Sequence, residues 1–77
     1  MEFRLPARSG DQEYATVQNW LKAAGERVEV GEAVVEVDTD KVTEEVVSPV
    51  TGTIAEILAE EGDEVKVDSV LAIIDEE

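Results

Sequence analysis

The side chain with the clearest chemical potential is Lys41, set in the run Glu36-Val37-Asp38-Thr39-Asp40-Lys41-Val42-Thr43-Glu44-Glu45-Val46. It is one of only three lysines, with Lys22 and Lys66, in a chain of 20 acidic and 6 basic residues. It falls where strand-like segments meet at a polar turn. An exposed amine at a hairpin tip is an attachment point for a covalently carried group, because a rigid turn presents it and nothing encloses it. Other chemistry is short of reagents. Histidine and cysteine are absent, which removes the commonest general base, the commonest metal ligand and any thiolate or disulfide. Asp38-x-Asp40 and the cluster Glu60-Glu61-Gly62-Asp63-Glu64 raise the possibility of calcium. An EF-hand loop starting at Asp38 needs an oxygen ligand at position 42 and glycine at position 43, where Val42 and Thr43 stand. Paired carboxylates for hydrolysis have no pocket-forming context. The sequence therefore predicts neither a metal site nor a catalytic centre in this domain.

The elements that position Lys41 must fit within 77 residues, enough for one domain spanning residues 1–77 and too few for an enclosed catalytic pocket of ordinary size. A hydrophobic fraction of 43% supports a packed core despite 34% charged residues. The formal charge of −14 repels phosphate backbones and anionic headgroups, which argues against nucleic-acid and membrane partners. The same charge favours a soluble, monomeric domain. No apolar run approaches a membrane span or a signal sequence. The expected location is cytoplasmic in a bacterium, or the mitochondrial matrix in a eukaryote.

The chain repeats itself. A shift of 37 residues places Thr16-Val17 on Thr53-Ile54, Trp20-Leu21 on Ile57-Leu58 and Gly25 on Gly62. The register continues without a gap through Val28/Val65, Val30/Val67, Val34/Leu71, Val37/Ile74 and Asp38/Asp75. Leu5-Pro6 and Ser48-Pro49 open the two halves at a spacing of 43, so the first half holds six extra residues within 7–14. That stretch includes Ser9-Gly10-Asp11-Gln12, a loop composition suited either to partner recognition or to a neutral change of length.

Short β-branched runs predict strands over 28–30, 33–37, 45–50, 65–67 and 70–74, with turns at Gly25 and Gly62. Residues 14–24 are ambiguous. Val17, Trp20 and Leu21 have helical spacing with Gly25 as a cap, and Ile54, Ile57 and Leu58 repeat it. A strand with a β-bulge shifts its inward face in the same way, and the surrounding strand pattern favours that reading. Two four-stranded halves related by a pseudo-two-fold predict an all-β fold, a flattened β-barrel or sandwich of two four-stranded sheets. The repeat maps Lys41 just beyond Glu77, so Lys41 should project from the pole opposite the end of the last strand. Tyr14 and Trp20 could anchor a partner, although the repeat mate of Trp20 is Ile57, which favours packing.

The run Glu36-Val37-Asp38-Thr39-Asp40-Lys41-Val42 closely resembles the lipoyl-lysine hairpin of lipoyl domains in the acyltransferase (E2) subunits of 2-oxo acid dehydrogenase complexes. The resemblance extends over the chain. Leu5-Pro6 is similar to the family's opening, and Thr16-Val17, Trp20-Leu21-Lys22, Gly25-Glu26, Val28 and Gly31-Glu32 to its second block. Ser48-Pro49, Gly52, Ile54, Ile57, Glu61-Gly62, Val65, Val67 and Leu71-Ala72-Ile73 are similar to its closing block.

The resemblance implies that Lys41, at a hairpin tip, carries lipoate in amide linkage. It implies an arm that accepts an acyl group reductively at a thiamine-dependent decarboxylase (E1), passes it to coenzyme A at the E2 core, and is reoxidised by a flavin dihydrolipoyl dehydrogenase (E3). The domain itself would catalyse nothing; its parent chain would be a dihydrolipoamide acyltransferase. Asp40, Asp38 and Val42 would serve recognition by a lipoate ligase or lipoyltransferase, with the aspartates fixing the turn by Asx-type bonding. Arg8, Ser9, Gly10, Asp11, Gln12, Glu13 and Tyr14 would form the loop that selects the decarboxylase. Glu44 and Glu45 read as a solvated face.

The sequence departs from the family's pattern in places. Val42 replaces the usual alanine and adds bulk beside the attachment site. Ser9, Tyr14 and Ala15 stand where Gly, Glu and Gly are frequent. Asp68 stands where glycine is usual, at a position asking for a left-handed turn. A biotinyl domain shares the fold, but its Met-Lys-Met motif is missing, the only methionine being Met1. The glycine-cleavage carrier protein is longer, and an unmodified binding module is the remaining alternative.

Overall fold

The computed structural model describes residues 1–6, 14–39 and 42–77. They form eight strands: β1 (Glu2–Arg4), β2 (Tyr14–Trp20), β3 (Arg27–Val28), β4 (Ala33–Asp38), β5 (Thr43–Val47), β6 (Gly52–Ile57), β7 (Glu64–Lys66) and β8 (Val70–Glu76). Every pairing is antiparallel. One sheet runs β1-β8-β6-β3 and the other β5-β4-β2-β7. The pseudo-two-fold sends β1 to β5, β2 to β6, β3 to β7 and β4 to β8, which converts one sheet order into the other. Each sheet thus draws its two central strands from one half and its edges from the other. The body measures 34 × 21 × 17 Å, and the two sheets pack face to face within it.

The ambiguous segment is a strand, and the bulge explains its helical spacing. Val17 pairs with Val37 while Asn19 pairs with Glu36, a slip of one residue. Thirty-seven residues on, Ile54 pairs with Ile74 while Glu56 pairs with Ile73. After the bulge the inward positions change parity. Val17 is buried, and half-buried Trp20, rather than residue 19, packs against the core. The Trp20 indole N–H donates to the Ala59 carbonyl at 2.8 Å, so its polar edge is used inside the domain, in keeping with a packing role.

The core is small and symmetrical. Val17/Ile54, Val34/Leu71, Val35/Ala72 and Val37/Ile74 are mates under the repeat, and each is at most 1% exposed. Burying a side chain of this size is worth about 1.5–3 kcal/mol. With no metal set among the described residues and no disulfide, these residues hold the layers together.

The sequence reading misses β1, where Phe3 is the lone inward side chain in Glu2-Phe3-Arg4. It also places the fifth strand too late, at 45–50. The polar residues Thr43, Glu44 and Glu45 extend the ladder with β4. Ser48 still bonds the turn before β4, its amide donating to Glu32 O at 2.9 Å and its carbonyl accepting from the Gly31 amide at 2.8 Å, and the pairing stops at Pro49, which has no N–H to offer.

The turns repeat in detail. Gly25 and Gly62 have φ of 92° and 94°. Gly31 has φ of 85°, and its mate is Asp68, the one non-glycine residue with positive φ among the described residues, at 74°. Asp tolerates this region better than most residues but still pays strain that glycine escapes. We expect Asp68→Gly to stabilise the domain by about 0.5–1 kcal/mol in denaturant unfolding. Gly52 is needed for space: a Cβ there would lie 2.2 Å from the Asp75 carbonyl oxygen. Gly52→Ala should cost at least about 2 kcal/mol in the same measurement, because main chain cannot step aside.

Candidate functional site

The site is the end of the β4–β5 hairpin. In β4 the side chains of Val34, Val35 and Val37 are buried, while Glu36 and Asp38 are half-buried. The register Glu36↔Glu45, Val37↔Glu44 and Asp38↔Thr43 carries the ladder to its last rung. There the Thr43 hydroxyl donates to the Asp38 carboxylate across the hairpin. Beyond that rung Thr39 and Val42 close on each other. The Thr39 amide donates to the Val42 carbonyl at 2.9 Å, and the Thr39 hydroxyl donates to the same carbonyl at 3.0 Å. The Val42 amide in turn donates to Thr39 Oγ1 at 3.2 Å.

Asp40 and Lys41 are the two residues that join Thr39 to Val42, and both lie outside the described residues. So do Arg8, Ser9, Gly10, Asp11, Gln12 and Glu13. The flanks still give the site an address. β5 carries the chain from Thr43 to Val47, about 14 Å at the usual rise per residue. Next come Ser48–Thr51, where the Val30 amide reaches Thr51 Oγ1 and the Glu77 amide reaches the Thr51 carbonyl at 2.9 Å. The hairpin end and the end of β8 therefore occupy opposite poles, as the repeat requires.

Tyr14 opens β2 and pairs with Lys66. Because Thr16 pairs with Asp38, Tyr14 shares the hairpin's end of the same sheet, and its side chain is 50% exposed. The Asp38 carboxylate accepts the cross-strand bond from Thr43, and the Asx-type bonding expected of Asp38 and Asp40 falls on residues outside those described. Val42 is 54% exposed, and its described bonds to Thr39 use its main-chain atoms. The sequence reading did not single out Thr39. A β-branched hydroxyl just before a two-residue tip, able to bond three residues ahead, was the available signal.

Glu32, in the turn before β4, has its carboxyl held below the ordinary value by the Glu29 amide and then by the Lys22 ammonium. That turn lies at the opposite end of β4 from the hairpin tip and steadies the strand's start.

Comparisons with known proteins agree on one kind of domain. A family model described as "Biotin-requiring enzyme", the biotin/lipoyl model, matches residues 1–74. The chain is 46% identical over 74 residues to the dihydrolipoyllysine-residue succinyltransferase component of the 2-oxoglutarate dehydrogenase complex of Bartonella vinsonii subsp. berkhoffii, covering 96% of this chain and 18% of that protein. It is 58% identical over 59 residues to the dihydrolipoyllysine-residue acetyltransferase component of the pyruvate dehydrogenase complex of Corynebacterium glutamicum, covering 77% of this chain and 9% of that one. The chain thus spans less than a fifth of the length of these relatives. Among solved structures, the lipoyl domain of the 2-oxoglutarate dehydrogenase complex from Azotobacter vinelandii superposes with a TM-score of 0.79 at 36% identity, covering 99% of this chain and 96% of that one.

If Val42 holds the hairpin end through its main chain alone, its side chain is dispensable for folding. Val42→Ala should change the unfolding free energy by less than about 0.5 kcal/mol, measured by denaturant titration.

Proposed function

The chain belongs to the biotin/lipoyl family and is a lipoyl domain, and from that premise we propose that Lys41 carries lipoate in amide linkage and presents it to the active sites of a 2-oxo acid dehydrogenase complex. The observation that carries this reading is the position of Lys41 in sequence: it lies in the two-residue join between Thr39 and Val42, at the exposed end of a hairpin whose body is locked into a sheet. A covalently tethered group needs a solvent-facing amine on a rigid support and no enclosing cavity. The exposed Val42 and Thr43 flanks fit that requirement.

The choice of lipoate over biotin rests on the neighbours of the lysine. Asp40-Lys41-Val42 offers an acidic residue and no methionine on either side. In the attachment step, the neutral Lys41 Nζ attacks the carbonyl of an activated lipoyl donor. A C–N amide bond forms, the activating group leaves and the amine loses a proton. The product has no charge at this position, so the modified domain is more acidic by one charge. When attached, the group would supply a dithiolane that takes up an acyl group reductively and gives it to a thiol acceptor. The domain's residues hold its root at one pole and keep the rest of the surface acidic.

The partners that follow are a lipoate ligase or lipoyltransferase, a thiamine-dependent decarboxylase, an acyltransferase core and a dihydrolipoyl dehydrogenase. The parent chain is then a dihydrolipoamide acyltransferase, a reading supported by the succinyltransferase and acetyltransferase relatives. Asp40, Asp38 and Val42 contribute to recognition at the lysine. Residues 8–14 contribute to choice of decarboxylase, and the place of Tyr14 beside the hairpin end supports that assignment. Tethering raises the effective concentration of the carried group at each active site in turn, so the domain works as a substrate rather than a catalyst.

Co-expression with a lipoate ligase tests the reading by intact mass. One lipoyl adduct is expected on the wild-type domain and none on Lys41→Arg. Absence of the adduct, or its survival in the arginine variant, contradicts the proposal, and a biotin adduct formed with biotin ligase replaces it with the biotinyl alternative.

A further inference from the structure

The hydroxyl of Thr39 bonds Val42 in both directions. It donates to the Val42 carbonyl at 3.0 Å and accepts from the Val42 amide at 3.2 Å, while the Thr39 amide donates to that same carbonyl at 2.9 Å. These three bonds tie together the two residues that flank Asp40-Lys41. Threonine suits this task because its branched Cβ restricts χ1, so the hydroxyl is offered with little loss of rotamer freedom. The bond from Thr43 to Asp38 braces the rung immediately below. Both braces sit at the exposed end, where water competes for each donor, so they add little to global stability. Their effect is local: they narrow the conformations open to the ends of a two-residue join.

We propose that Thr39 is a positioning residue for the modification of Lys41, holding Val42 across the hairpin end in the arrangement that the lipoylating enzyme accepts. The inference rests on the reading of Lys41 as the lipoyl site. An enzyme that recognises a formed hairpin end binds only the fraction of domains in which that end is formed, and its apparent affinity falls in proportion to that fraction. The Thr39 hydroxyl makes and breaks no covalent bond in the amide-forming step. Its removal therefore raises KM for the domain and leaves kcat unchanged.

The test measures lipoylation by a lipoate ligase, with lipoate and ATP, over a range of domain concentrations for wild type, Thr39→Val and Thr39→Ser. Valine keeps the shape and loses the hydroxyl, and serine keeps the hydroxyl. Thr39→Val should raise KM about tenfold if the competent fraction falls to about a tenth, with kcat essentially that of wild type. Thr39→Ser should retain a KM close to wild type. The thermal midpoint of Thr39→Val should stay within about 3 °C of wild type, and the Val42 amide should exchange slowly in wild type and serine but fast in valine.

A wild-type KM in Thr39→Val, a fall in kcat at constant KM, or a serine variant as impaired as valine overturns the proposal. If Thr39→Val does not fold, the serine variant and Val42 exchange in the wild type decide, and an unprotected Val42 amide there also overturns it. A wild-type domain that accepts no lipoate at all strikes the Lys41 reading first and this inference with it.

Discussion

Two reciprocal pairs of main-chain hydrogen bonds join the halves of this chain, and the rest of the structure depends on them. The Gly25 amide donates to Ile54 O at 2.7 Å and the Ile54 amide donates to Glu26 O at 2.8 Å. Their mates are Gly62 to Val17 O at 2.7 Å and Val17 to Asp63 O at 2.8 Å. Each turn is docked on a central strand of the other half. A half on its own would leave these groups unpaired and would expose Val17 or Ile54, both essentially fully buried here. The exchange requires each turn to pass through left-handed backbone at its glycine, which is why Gly25 and Gly62 align in the repeat.

That interlock is what makes the hairpin end a firm support. β4 is held on one side by β5 and on the other by β2, and β2 is held in turn by β7. The strand leading to Lys41 is therefore an interior strand of its sheet, anchored by the buried Val34, Val35 and Val37. Its symmetry mate β8 is the interior strand that ends at the opposite pole, beside Thr51 and Glu77. A carrier needs this division: a body that does not flex, and one end from which a long arm can reach. The acidic surface serves the same purpose by keeping the domain soluble and free of nonspecific anion binding.

Much of this was legible in the sequence because the repeat constrains it twice. The pairings Val17/Ile54 and Gly25/Gly62 revealed two similar halves. The spacing of Val17, Trp20 and Leu21 was consistent with a bulged strand, which the shared slips at Val17/Asn19 and Ile54/Glu56 bear out. Periodicity could not reveal how the sheets are composed, because which half supplies an edge strand depends on pairings distant in sequence. β1 was invisible because three residues around Phe3 carry too little pattern. Thr43 and Glu44 fell outside the strand expected over 45–50 although they belong to β5, since one face of that strand meets water. At the site, the motif around Lys41 was the plainest signal in the chain, whereas the Thr39–Val42 closure depends on a side chain bonding main chain, which composition does not encode. Lys41 and residues 8–13 lie outside the described residues, so their assignments rest on sequence.

The most direct test of the carrier role is reductive acylation of the lipoyl-modified domain by a thiamine-dependent 2-oxo acid decarboxylase, compared with free lipoamide at equal concentration. The account predicts that decarboxylases for 2-oxoglutarate or pyruvate include one that acylates the domain with a kcat/KM at least about a hundredfold above that for free lipoamide, the size of advantage that presentation on an oriented scaffold provides. A modified domain that is no better than free lipoamide with either decarboxylase would contradict it.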